Sequence, residues 1–141
     1  MAEDTIPAPP EGFVRSEGRG QFSTLNGPYF HRPGEDGMAE QAFFALSRHA
    51  NGIGLVHGGM LSAFMDGLLA GAVWRGTQKT GVTIHLSIDF LHMARVGEWV
   101  RGEARMTRAT REVAFAEGRA FVGGHDVVRA SGIFKLMGRE R

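Results

Sequence analysis

Residues 51–72, NGIGLVHGGMLSAFMDGLLAGA, pass from a polar, glycine-rich entrance into a long apolar segment with one carboxylate, Asp66, in its middle. An acid set among Phe64, Met65, Leu68 and Leu69 is costly to bury without compensation, so its presence points to a task. The run continues to Arg75, too long and too rich in Leu, Met and Ala for a strand, and it predicts a helix over 59–75. It is apolar on every side, as expected of a helix enclosed by the rest of its protein. Gly67 and Gly71 each lower helix propensity by about 1 kcal/mol, and their spacing would let another backbone approach one face closely. Asp66, Ser62 and the glycines argue against a membrane span, which needs about 20 mostly apolar residues.

After RGTQKTG the period changes to two. Val82, Ile84, Leu86, Ile88 and Phe90 alternate with Thr83, His85, Ser87 and Asp89, which predicts a half-buried strand. Three more follow: 98–109 with Val100, Gly102, Ala104 and Met106 inward, 112–122 with Ala114, Ala116, Gly118, Ala120 and Val122 inward, and 127–137 with Val128, Ala130, Gly132, Phe134 and Leu136 inward. GGHD at 123–126 is a hairpin signal between the last two. Inward faces so rich in Gly and Ala form a trough, and a Leu-, Met- and Phe-rich helix is the object that fills it. The fold class is therefore α+β, a strongly curved antiparallel sheet wrapped around one long central helix. Upstream, GQFSTLNGPYFHR is expected to supply one further strand, and AEQAFFALSRHA reads as a strand leading into the helix.

The 141 residues suit one domain with a real core, and 43% apolar with 22% charged residues is a globular balance. A net charge of +1 gives no electrostatic case for nucleic acid or an anionic membrane surface as partner. Without cysteine there is no disulfide framework or thiolate site, and a reducing, cytoplasmic setting is expected. The six histidines show no close ligand spacing, so no metal and no other cofactor is expected. The acidic, Pro-rich start lacks the pattern of a secretory signal. It reads as a flexible lead over 1–18 before a single domain over 19–138.

An Asn, then His-Gly-Gly opening the helix, an Asp nine residues after the His and a meander of four strands resemble the hotdog-fold acyl-CoA thioesterases. Within them the likeness is to the phenylacetate-pathway branch, whose acid is aspartate, and it covers roughly residues 20–137. The resemblance implies Asp66 as catalytic carboxylate, the Gly58 amide as oxyanion donor, Asn51 orienting thioester or water, and His57 shaping the turn and positioning the acyl group. It also implies Thr83 as a site contact and basic residues such as Arg95 toward the phosphates of coenzyme A. In the glutamate-using branch a Thr follows the acid by one turn, where this chain has Ala70.

The residues support the same chemistry independently. A helix N-terminus has free N–H groups and partial positive charge, and Gly58 and Gly59 let a substrate carbonyl approach them unobstructed. Asp66 is placed to act as general base or as nucleophile. Phe64, Met65 and Leu69 are candidates for the acyl wall. From Gly58 to Asp66 is roughly 12 Å along a helix, too far for both to act on one carbonyl. A second, two-fold-related helix running antiparallel would bring Asp66 of one copy to Gly58 of the other. A homodimer with two composite sites, alone or as a dimer of dimers, is therefore expected; the resemblance implies an acyl-CoA as its substrate. The alternatives are a non-catalytic acyl-CoA-binding module and a hotdog hydratase or dehydratase. Against the first, such a module has little need for Asp66. The second usually pairs a His with its acid at another spacing.

Overall fold

The computed structural model describes residues 5–138. Its spine is a 20-residue helix, α2 (Gly58–Thr77), about 30 Å long. It ends at Gln78, whose left-handed conformation (φ 60°) turns the chain and lets its N–H donate to the Trp74 carbonyl. Before it come β1 (Val14–Arg15), a short helix α1 (Gln21–Asn26), β2 (Tyr29–Pro33) and β3 (Ala39–Phe44). After it come β4 (Gly81–Phe90), β5 (Trp99–Ala109), β6 (Val113–Val122) and β7 (His125–Leu136). All seven strands form one antiparallel sheet in the order β1-β2-β3-β5-β6-β7-β4. The chain thus leaves β3, runs through α2, lays β4 on the far edge and returns to mid-sheet. This is the hotdog arrangement expected from the sequence.

The glycine-lined trough is literal. A Cβ on Gly102 would lie 2.7 Å from Leu68 and 2.9 Å from Phe64, and one on Gly132 would lie 3.2 Å from Leu69. The large helix side chains fill sockets that any side chain on those strand positions would close. Ala104, Ala114, Ala116, Ala120, Ala130 and Phe134 complete the buried inner face, as the alternation expected.

Four expectations need correction. In β4 the register shifts between Thr83 and His85. One extra residue there reverses the side-chain parity. Leu86 and Ile88 face the core, but Val82 and Ile84, expected inward, are 52% and 57% exposed, and Thr83 turns toward α2. Residues 21–26, expected in a strand, form α1, where Thr24 Oγ1 donates to the Gly20 carbonyl and Asn26 Nδ2 to that of Phe22. These side-chain bonds close helical turns. The strand expected from that stretch is β2 alone.

The 1–18 lead is not loose where it is described. Phe13 is 5% exposed in a cluster with Phe30 and Ala42, Ile6 packs against it, and Val14–Arg15 pair with β2. Residues 1–4 lie outside the described residues. Finally, α2 is not enclosed on every side. Asp66, Gly67, Ala70 and Gly71 are only half-buried and Trp74 is 49% exposed, along the gap that the open sheet leaves. No helix among the described residues is long and apolar enough to cross a membrane.

Candidate active site

The site begins in the loop before α2. The Asn51 N–H donates to the Leu55 carbonyl, and Asn51 Oδ1 accepts from the N–H groups of Ile53 and Leu55. Its oxygen is thus spent on the turn and only its Nδ2 remains to donate outward. The loop is pinned to the β4–β5 connection by a bridge between Leu55 and Arg95 and by the Val56 N–H donating to the Ala94 carbonyl. Arg95 is exposed beside this loop.

His57 is the N-cap. Its Nδ1 accepts from the Gly59 N–H at 2.7 Å, so in the neutral ring the proton sits on Nε2. The His57 carbonyl accepts from Met60 and Leu61. The His57 N–H donates to the His49 carbonyl, so three of the four N–H groups that open a helix without an i−4 partner, those of His57, Gly59 and Met60, are occupied. Of the four, only the Gly58 amide has no partner among the described residues. Gly59, expected at the substrate, has its N–H bound to His57. Phe90 stands beside the free amide, its ring edge 3.5 Å from where a Cβ on Gly58 would sit. The strand pattern marked Phe90 only as an apolar-face residue.

Two turns along α2, Asp66 Oδ1 accepts from Thr83 Oγ1 at 2.6 Å. The bond fixes the carboxylate, and among the described residues Oδ2 has no hydrogen-bond partner. Within one chain the structure therefore makes two groups, the amide end (Asn51, His57, Gly58) and the acid (Asp66, Thr83), separated by about 12 Å of helix. Phe64, Met65 and Leu69 belong to neither. They lie in the core, each at most 1% exposed, with Phe64 stacked on Tyr29 and edge-on to Phe43.

Beside Asp66 the open strip of α2 floors a cleft of about 680 Å³, with Gly67, Ala70, Gly71 and Trp74 from the helix, Arg19 from the lead and Gln41 from β3 among its walls. The sequence pattern missed Arg19 and Gln41, since only the tertiary fold carries them to the helix. Burial lowers the Arg19 pKa, against a smaller opposing effect of Tyr29. Burial raises the Tyr29 hydroxyl, with Arg19 and Arg48 opposing. A second concavity, about 350 Å³, lies on the outer face over Glu103, Arg105, Glu117 and Arg119, where the charges are already paired with one another or with Asp126.

The family model of the thioesterase superfamily matches residues 53–129. A Pseudomonas aeruginosa protein named "Putative esterase PA0474" is 36% identical over 129 residues, 90% of this chain and 96% of its own. The chain belongs to the thioesterase superfamily. Its fold superposes on conserved protein PA5202 of Pseudomonas aeruginosa with a TM-score of 0.76 and 27% identity, covering 84% of this chain and 94% of that one. A phenylacetic acid degradation-related protein of Ralstonia eutropha JMP134 gives 0.72 and 28%, covering 81% and 88%. These likenesses support thioester hydrolysis as the general chemistry of the chain.

Proposed function

We propose that the protein is an acyl-CoA thioesterase, acting as a homodimer with two composite sites, alone or as a dimer of dimers, in the cytoplasm. The observation that carries this reading is that each half of the site is chemically incomplete. One end of α2 offers a free amide without a base, and its middle offers an oriented carboxylate without an oxyanion donor. Two such helices side by side and antiparallel supply both groups to one carbonyl. The open side of α2, where Asp66 and the small residues lie half-buried, is where a second copy fits.

In this mechanism Asp66 Oδ2 takes a proton from water as its oxygen adds to the thioester carbon. The oxyanion accepts from the partner's Gly58 amide, a donor worth about 2.7–4 kcal/mol at such a transition state. Collapse breaks the C–S bond, and coenzyme A leaves as thiolate and takes up a proton, giving the free acid. Asn51 Nδ2 and the His57 Nε2–H are donors available to the thioester and the acyl group, and Arg95 is the candidate for the phosphates. With Phe64, Met65 and Leu69 closed inside the core, the acyl group runs along Gly67, Ala70, Gly71 and Trp74. The test is thiol release over a panel of acyl-CoAs. Asp66→Asn is expected to lower kcat by about 10²–10⁴. Binding without turnover on any thioester would make the chain an acyl-CoA-binding module instead.

A further inference from the structure

The cleft beside Asp66 has a polar wall that a hydrocarbon acyl group would not use. Arg19 and Gln41 lie over α2 where glycine makes room. A Cβ on Gly67 would be 2.5 Å from Arg19 Nη2, and one on Gly71 would be 2.8 Å from Gln41 Nε2. Gln41 is buried, its Nε2 donating to the Gly67 carbonyl at 3.3 Å and its Oε1 without a partner. The Arg19 guanidinium sits 4.6 Å from the Tyr29 ring centre, with Nη1 buried and unpartnered. Among the described residues no carboxylate pairs with Arg19. Glu17 lines the same cleft but is exposed and makes no bond to it. A half-buried cation with unused donors is unfavourable until an anion meets it.

We propose that the Arg19 guanidinium in this wall binds a carboxylate at the far end of the acyl group, so that the preferred substrates are thioesters of short dicarboxylic acids. The inference rests on the acyl-CoA reading above. Gly67 follows Asp66 directly and Gly71 comes four residues later, so Arg19 and Gln41 cover the first turn beyond the acid, within about 8 Å along the axis. A short chain whose thioester carbonyl lies at Asp66 brings its terminal carboxylate to that turn. There the planar guanidinium offers paired N–H donors matched to two carboxylate oxygens. An alkyl or phenyl end would leave those donors stranded and further desolvated.

The experiment compares succinyl-CoA with butyryl-CoA, and glutaryl-CoA with valeryl-CoA, in the wild type and in Arg19→Met, Arg19→Lys and Gly67→Ala. The expected result is a kcat/KM about tenfold or more higher for the carboxylated member of each pair. Arg19→Met brings the ratio to about one or below, and Arg19→Lys keeps part of it. Gly67→Ala lowers it too, by pushing the guanidinium aside while favouring the helix, so the test survives if Arg19→Met does not fold. A ratio of one or less in the wild type, or a ratio indifferent to Arg19→Met and Gly67→Ala, overturns the proposal. Calorimetric titration of Asp66→Asn with the same four thioesters separates it from the parent reading. Tighter binding of the carboxylated members without turnover by the wild type upholds the anion subsite and removes the hydrolase. Turnover without preference removes the subsite and leaves the hydrolase standing.

Discussion

Thr83 reaches Asp66, its Oγ1 2.6 Å from Oδ1, because the β4 register shifts between Thr83 and His85. With the strict alternation of 82–90, Thr83 would share the outward face with His85, Ser87 and Asp89. The irregularity separates it from them, which is the local re-aiming of a side chain that bulges provide next to active sites.

The bond is to a carboxylate, and such bonds contribute about 1.5–3 kcal/mol. We expect Thr83→Val to lower kcat about 10- to 100-fold with little change in melting temperature, since the side chain is exposed in the single chain. Thr83→Ser keeps the hydroxyl and should recover most of the activity. Steady-state kinetics of both variants decide it: full activity in the Val variant, which keeps the methyl group and lacks the hydroxyl, would mean that the hydrogen bond is dispensable.

His57 gives a second expectation, on stability. Its Nδ1 satisfies the Gly59 amide, and losing an N-cap acceptor costs about 0.5–2 kcal/mol. His57→Ala should lower the urea midpoint accordingly, and His57→Asn, a good cap, should restore it. Recovery of stability without recovery of kcat in the Asn variant would show that the ring does more than cap.

The glycine sockets of the sheet give a third. A side chain at Gly102 would sit within 3 Å of Leu68 and Phe64. Overpacking of this kind typically costs about 1–3 kcal/mol. Gly102→Val should therefore lower the unfolding free energy by that amount, read from the denaturation midpoint, without touching Asp66 or Gly58. An unchanged midpoint would mean that the trough is slacker than its contacts imply.

The fold was legible because two signals agreed: an apolar run of helical length, and strands whose inward positions carry Gly and Ala. Periodicity alone places Val100, Ala104, Ala116 and Ala130 correctly, since the register shifts of these strands, between Met106 and Arg108 and between Ala120 and Phe121, fall outside those positions. It fails at Thr83, because a bulge leaves no mark in the alternation. It fails at residues 21–26, because that six-residue helix buries no side chain and so leaves no apolar periodicity to read. Phe13 was invisible for another reason: its partner Phe30 is seventeen residues away, and only the sheet brings them together. Of the site, Asp66 and Gly58 stand out by spacing, whereas Arg19 and Gln41 come to Gly67 and Gly71 from distant parts of the chain.

The two-copy arrangement has a direct genetic test. Pro at the first helical position is tolerated, since its missing N–H has no intrahelical partner to lose. The His57 backbone (φ −65°, ψ 140°) is already in the region a residue before proline prefers. A side chain on Gly58 would meet only Phe90, at an ordinary 3.5 Å. Gly58→Pro thus deletes the free amide and leaves α2 in place, and we expect kcat to fall about 10²–10³-fold. Asp66→Asn removes the base instead. Co-expressed under two tags and purified as a mixed dimer, the two inactive chains should regain one working site, joining Asp66 of the proline variant to the amide of the other. About half the wild-type activity per dimer is expected. If amide and acid acted within one chain, the mixed dimer would be as inactive as its parents.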